Sequence, residues 1–395
     1  MKKKLLSVFL AAVFILSALS TAFAAEVPGV LKFGEDSKFT MLNICDMQDV
    51  YPMNQTAKQF ILEMIAKYDP DLVVLGGDNT VGGADTKAQA IKEICDIFVG
   101  TKTYFTLVFG NHDNEQGVDK ETLFSMYKLY GGIYLLAYDA VPTLTGVGTH
   151  SLPVMSSDMS KIAFNLFMFD SNTYAVDEST GKHLGYDCVH EDQIEWYKNT
   201  SNAAKALNGG TPVPAMAFQH IIVQEAFDKL FVKTSGSAGI LGKDFNNASY
   251  VFIPKLANIE DGLMFEAPCP GYYNYGQLDA MAECGDVVAI FSGHDHVNDF
   301  TVNCNGIDIV NTSGCTYTSY GKDYNRGCRV IVLDENNARE YETKTVTIAE
   351  MALEEDSKIP ELGDMSKASA TLNVTFYKFM RALVKMLGFM FMFVK

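Results

Sequence analysis

The chain has 395 residues, 48% of them hydrophobic, which is ample for one large or two ordinary domains around a buried core and excludes a disordered chain. Its formal charge of −17, with 31 Lys and Arg against 48 Asp and Glu, excludes nucleic acid as a partner, because phosphate backbones are held by cations. A phosphorylated ligand would have to be attracted locally, by metal.

Residues 1–24 read as a leader removed on export: Lys2-Lys3-Lys4, an apolar run from Leu5 to about Ala18, and Ala22-Phe23-Ala24 as the cleavage site. The run is short for a spanning helix. The protein is therefore expected outside the cell or at its surface. All eight cysteines follow the leader, so disulfides are open to it, although no C-x-x-C occurs. Cys45 and Cys328 sit in apolar runs and read as small buried hydrophobes.

Phe39 to Cys45, Leu72 to Leu75, Thr103 to Phe109, Ile162 to Phe169, Val213 to Phe218 and Asp286 to Phe291 are short runs rich in Val, Ile, Leu and Phe, and predict buried strands. Between the first three lie helical patterns. Ala57, Phe60, Ile61, Met64 and Ile65 follow a cap at Asn54, and Ile91, Ile94, Cys95 and Phe98 share one face of the next helix. This alternation implies parallel pairing through crossovers. After His296 the runs Phe300 to Cys304, Ile307 to Val310 and Cys328 to Leu333 follow one another without a helix, the first two joined by an Asn305-Gly306 turn. One domain over 25–350, with a mixed sheet or two stacked sheets, is the economical reading. Residues 351–371, acidic and containing Pro360 and Gly363, read as a linker. Residues 372–395 read as a basic amphipathic helix, with Lys378, Arg381 and Lys385 on one side and Phe376, Phe379, Met380, Leu383, Val384 and Leu387 on the rest. It would either lie on a membrane surface or dock on the protein's own core.

Four clusters follow those strands: Asp46-Met47-Gln48, Gly76-Gly77-Asp78-Asn79, Gly110-Asn111-His112-Asp113 and Gly293-His294-Asp295-His296, with a lone His220 between the last two. At the ends of parallel strands their loops converge, so these side chains are expected to meet. Carboxylates, amide oxygens and imidazoles suit a pair of divalent metals. Asp78 is the natural bridge between two ions; Asp46, Gln48 and His296 would complete one, and Asn111, His220 and His294 the other. A hydroxide between two ions is a nucleophile near neutral pH. His112 is left to protonate a leaving oxygen, with Asp113 holding its other ring nitrogen. His150, His183 and His190, in polar loop-like stretches, are given no metal role.

This series resembles the calcineurin-like metallophosphoesterase superfamily. The stretches Gly293-His294-Asp295-His296-Val297-Asn298-Asp299-Phe300 and Arg326-Gly327-Cys328-Arg329-Val330-Ile331 resemble its purple acid phosphatase-like branch. The resemblance, from about Phe39 to Leu333, implies a four-layer α/β/β/α sandwich, two divalent or trivalent metal ions (Mn, Fe or Zn, with Mg also admissible) and hydrolysis of a small phosphorylated substrate. It carries metal binding onto Asp46, Asp78, Asn111, His220, His294 and His296, and leaving-group protonation onto His112. Two positions depart from the family pattern. Gln48 stands where the family usually has His, a harder ligand that favours Mn or Mg over Zn. Val81 stands where purple members carry a metal-binding Tyr, so no violet colour is expected.

The leading expectation is an exported phosphomonoesterase. A phosphodiesterase or nucleotidase of the same fold stays open, because specificity would lie in the loops 236–247 and 317–326, where Tyr320, Lys322 and Arg326 are candidates for substrate contact. A surface binding protein on a degenerate scaffold, with Gln48 as its first loss, is the competing class. A serine hydrolase lacks its G-x-S-x-G elbow.

Overall fold

The computed structural model describes residues 29–234, 240–243, 249–360, 362 and 365–392. The leader expected over 1–24, and residues 236–239 and 244–247 of the expected specificity loop, lie outside the described residues. All six early apolar runs are strands. Lys38–Ile44, Leu72–Gly76 and Phe105–Val108 pair in parallel, and Gly327–Asp334 and then Tyr341–Thr347 extend the same sheet beyond Lys38–Ile44. Ile162–Met168, Ala215–Phe218, Val287–Ser292 and Ile307–Asn311 form the parallel centre of an eight-stranded sheet. Its edges are Leu31–Lys32 and Ile259–Asp261.

Alternation along each strand decides which core a side chain enters. In Leu72–Gly76, Leu72 and Val74 enter the core between the sheets, where Phe39 and Met41 meet Phe164, Phe218 and Phe291. Val73 and Leu75 point the other way, under the helices Gln55–Tyr68, Ala84–Thr101 and Lys120–Gly131. The eight-stranded sheet is covered in turn by Glu191–Leu207, Gln224–Leu230 and Gln277–Cys284. The result is the expected α/β/β/α sandwich. The Asn54 side chain accepts from the Ala57 amide at 3.0 Å and starts the first helix. The hairpin at Asn305-Gly306 has positive φ at both residues, as a two-residue turn requires. All eight cysteines are free thiols, and Cys45 and Cys328 are buried.

The C-terminal region corrects the sequence reading. The stretch 351–371 is not a free linker: Ile348–Ala352 is helical, Leu362 is buried, and Ile359 and Met365 pack on the core beneath the helices Gln55–Tyr68, Ala84–Thr101 and Lys120–Gly131. The last helix spans Lys367–Met392, beginning five residues early, and it docks on the body. Ala370, Val374 and Tyr377 face inward, and Arg381, expected on the polar side, is drawn inward by Asp261 at 2.5 Å and Asp299 at 3.2 Å. Desolvation of a guanidinium is offset by the two carboxylates, a pairing that residue-by-residue amphipathicity cannot reveal.

Candidate metal centre

Each cluster leaves the end of a parallel strand, and the strands of both sheets aim these ends at one place. Asp46, Gln48, Asp78 and His294 all have positive φ, between 39° and 72°. Such backbone is costly for residues with a Cβ, and four together mark strain held by the surrounding structure. The loops also approach too closely for side chains at two glycines. A Cβ on Gly77, whose φ is +93°, would lie 2.6 Å from His220 Nδ1, and one on Gly110 would collide with the Asp78 carboxylate.

Ligand atoms of Asp46, Asp78 and His220, all buried, lie within 4.8 Å of one another. His220 Nδ1 donates to the Gly76 carbonyl at 3.0 Å, which fixes the tautomer with a bare Nε2. That nitrogen stands 3.2 Å from Asp78 Oδ2 and 3.8 Å from Asp46 Oδ1. His296 repeats the device: Nδ1 donates to the Tyr320 carbonyl at 3.0 Å, and Nε2 faces Asp46 Oδ1 at 3.4 Å. Acceptors are thus aimed at acceptors. Asp46 Oδ1, His220 Nε2 and Asn111 Oδ1 are buried with no hydrogen-bond partner, a state that is expensive unless a cation sits among them. The donor set of carboxylate, amide oxygen and imidazole fits divalent ions such as Mn, Fe or Zn.

The electrostatics divide these groups: His220 is drawn toward its charged form, and His294 and His296 are held neutral. Burial, with Asp78 beside it, pushes Asp46 above the usual carboxylate range. Burial opposes charge on Asp78 too, but His220 outweighs it and holds Asp78 low. Burial disfavours a charged His220, yet Asp78 and Asp46 outweigh it and raise that imidazole. Burial pushes His296 down to about 4 and lowers His294 as well, keeping both neutral as ligands must be.

Of the expected ligands, Asn111 turns its amide nitrogen to the Tyr174 hydroxyl at 3.4 Å and leaves its oxygen without a partner. Asp46, Asp78, His220 and His296 converge most closely; the His294 ring lies 5.2 Å from that of His220. Gln48 turns its amide nitrogen to Asp78 Oδ2 at 3.1 Å. In that orientation it positions the bridging carboxylate, and a half-turn of the amide would offer the oxygen instead.

Asp113 requires a correction. It does not hold His112. Fully buried, it accepts from the amides of Gly110, Asn79 and Thr80 at 2.8, 2.9 and 3.0 Å, and so ties two of the loops together. His112 Nδ1 donates instead to Glu115 Oε2 at 2.8 Å, and Glu115 in turn accepts from the Tyr174 hydroxyl at 2.9 Å. Both Glu115 and Tyr174 escaped the sequence reading; Glu115 stands three residues on in a turn, a spacing that carried no helical signal. Tyr186 and Tyr320 were respectively missed and undecided. The Tyr186 ring meets His294 edge-on at 4.2 Å, and that of Tyr320 stacks on His296 at 4.1 Å. Both line a cavity of ≈ 340 Å³ that also contacts Asp78, His112, His294 and His296. Arg326 is not free for substrate: it donates to the Thr316 and Ser319 carbonyls and shapes the loop from within, and Lys322 is not among the cavity residues.

A family model described as calcineurin-like phosphoesterase matches residues 46–298, which contain every candidate ligand. The chain is similar to "Probable inactive purple acid phosphatase 29" of Arabidopsis thaliana, 28% identical over 78% of this chain and 80% of that one. It is also similar to "Probable inactive purple acid phosphatase 14" of the same plant, 26% identical over 74% of each. Among solved structures, a dimetal phosphatase from Danio rerio aligns over 78% of this chain and 98% of its own, with 12% identity and a TM-score of 0.47. With its α/β/β/α layers and its strand-end clusters, the chain belongs to the calcineurin-like phosphoesterase family, in the purple acid phosphatase-like branch.

Proposed function

We propose that the protein is an exported metal-dependent phosphoesterase, most simply a phosphomonoesterase. The observation that carries the reading is the pair of imidazoles, His220 and His296, each tied by Nδ1 to a carbonyl and facing buried carboxylate oxygens with Nε2. Asp46, Gln48, Asp78, Asn111, His220, His294 and His296 would hold two ions, which would polarise the phosphoryl oxygens and supply a nucleophile at neutral pH. His112 belongs to the cavity wall, its amide anchored on Asp78 Oδ1 at 2.7 Å and its ring oriented by Glu115. From there, protonated at Nε2, it gives its proton to the departing ester oxygen. Tyr186 and Tyr320 flank the place where the ester group would lie.

A second reading is a non-catalytic binding protein on this scaffold. Gln48 in place of a family His favours it, as does the word "inactive" in the names of the plant relatives. The test is hydrolysis of an aryl phosphomonoester and the matching diester by the full chain loaded in turn with Mn, Zn or Fe. Metal-dependent turnover supports the enzyme, and the preferred ester separates phosphatase from phosphodiesterase. Ion binding without turnover of either ester selects the binding protein.

A further inference from the structure

The docked C-terminal helix leaves a second apolar face unexplained. While Ala370, Val374 and Tyr377 are buried and Val384 packs on the outer core of the eight-stranded sheet, Leu372, Phe376, Phe379 and Met386 are 72%, 48%, 62% and 53% exposed. With the half-buried Leu383 they fall at spacings of four, three, four and three, a single straight stripe on the outer side of the helix, touched by the body where the Tyr324 ring meets Phe376 edge-on at 6.1 Å. It runs about 21 Å along the helix at the usual rise. Beyond it the chain reads Leu387 to Val394 without one charged residue.

Charge identifies what covers this stripe. From Lys367 to the end the chain carries Lys367, Lys378, Arg381, Lys385 and Lys395 and no Asp or Glu, leaving 26 cations against 48 anions in the rest of the protein. Arg381 is used inward, while Lys378, its side chain 64% exposed, pairs with Glu350 at 2.9 Å. A second copy of the helix would set like charges against like, where helix pairs need opposite ones. No helix among the described residues is long and apolar enough to cross a membrane. We propose that the outer face of Lys367–Met392 lies on an anionic lipid surface, with Leu372, Phe376, Phe379 and Met386 at the acyl boundary and the lysines at the headgroups. The helix is thus a two-faced plate: Tyr377 and Arg381 hold it to the body, and the stripe holds the body to lipid.

The experiment is co-sedimentation of the full chain with vesicles of phosphatidylcholine, alone or with phosphatidylglycerol. The comparison is a Leu372→Ser, Phe376→Ser, Phe379→Ser variant whose thermal midpoint is checked against wild type. Residues 1–24 are common to both, so the difference reads the helix. The expected result is binding of wild type to the anionic vesicles, at least about tenfold weaker in the variant and on neutral vesicles. A Phe376→Leu, Phe379→Leu variant should retain it. Equal sedimentation of wild type and the serine variant, or a wild type that forms a vesicle-indifferent dimer which the serine variant dissolves, overturns the proposal.

Discussion

Two buried carboxylates, Asp46 and Asp299, show what distinguishes a site from a scaffold. Asp299 has every oxygen satisfied from within: Oδ1 accepts from the Leu263 amide at 2.9 Å, and Oδ2 from Thr345 Oγ1 at 3.1 Å, Arg381 Nη1 at 3.2 Å and the Tyr377 hydroxyl. Asp46, equally buried, leaves Oδ1 with no donor while imidazole nitrogens face it. The histidines repeat the contrast. His150, which the sequence placed in a polar loop, is buried on the strand His150–Met155 with both ring nitrogens engaged, by Thr106 Oγ1 at 2.8 Å and the Gly148 carbonyl at 2.7 Å; His220 keeps Nε2 open. In these two pairs the satisfied group holds the fold, and the unsatisfied one lies where a cation would be held.

The comparison breaks most visibly in turnover. In the metal-loaded chain, His112→Ala should lower kcat on the order of 10² to 10⁴-fold with metal content unchanged. Glu115→Gln, which only loosens the ring, should cost about tenfold. An equal loss of metal in either variant would mean that these residues support the ligands instead.

Removing a satisfied charge should unfold. Asp299→Ala strands the Tyr377 hydroxyl, leaves Arg381 with Asp261 alone and should cost about 4 kcal/mol in urea unfolding, whether or not metal is present. His150 supplies the pH test. Burial lowers it from 6.5 to about 4, so its stabilisation is complete above pH 6.5 and is lost as pH falls toward 4. Wild type should lose on the order of 3 kcal/mol through that group over this window, a loss absent from His150→Leu. The smallest effect has the opposite sign: in chelator-treated protein, Asp46→Asn should raise stability by about 1 kcal/mol, because an amide N–H in place of the partnerless Oδ1 would face the ring nitrogens of His220 and His296. A destabilisation there would place Asp46 with Asp299.

Much of this was legible in the sequence because strands buried on both faces write themselves as short Val, Ile and Leu runs, and the ligands follow their ends directly. The lone His220 was legible only through its place after Ala215–Phe218. What failed was orientation. Asp113 and Glu115 are both near His112, and which of them turns toward it depends on the amides of Gly110, Asn79 and Thr80, a matter of loop geometry. The inward turn of Arg381 depends on Asp261 and Asp299, 120 and 82 residues away. Amphipathic periodicity sees neither partner.

The most direct test is calorimetric titration of Mn²⁺ or Zn²⁺ into the chelator-treated full chain at neutral pH, beside Asp78→Ala. Wild type should bind two ions per chain, with the thermal midpoint rising as they bind, and the variant should lose that binding. Absence of binding in folded wild type, or identical isotherms for the two proteins, would contradict a two-ion centre.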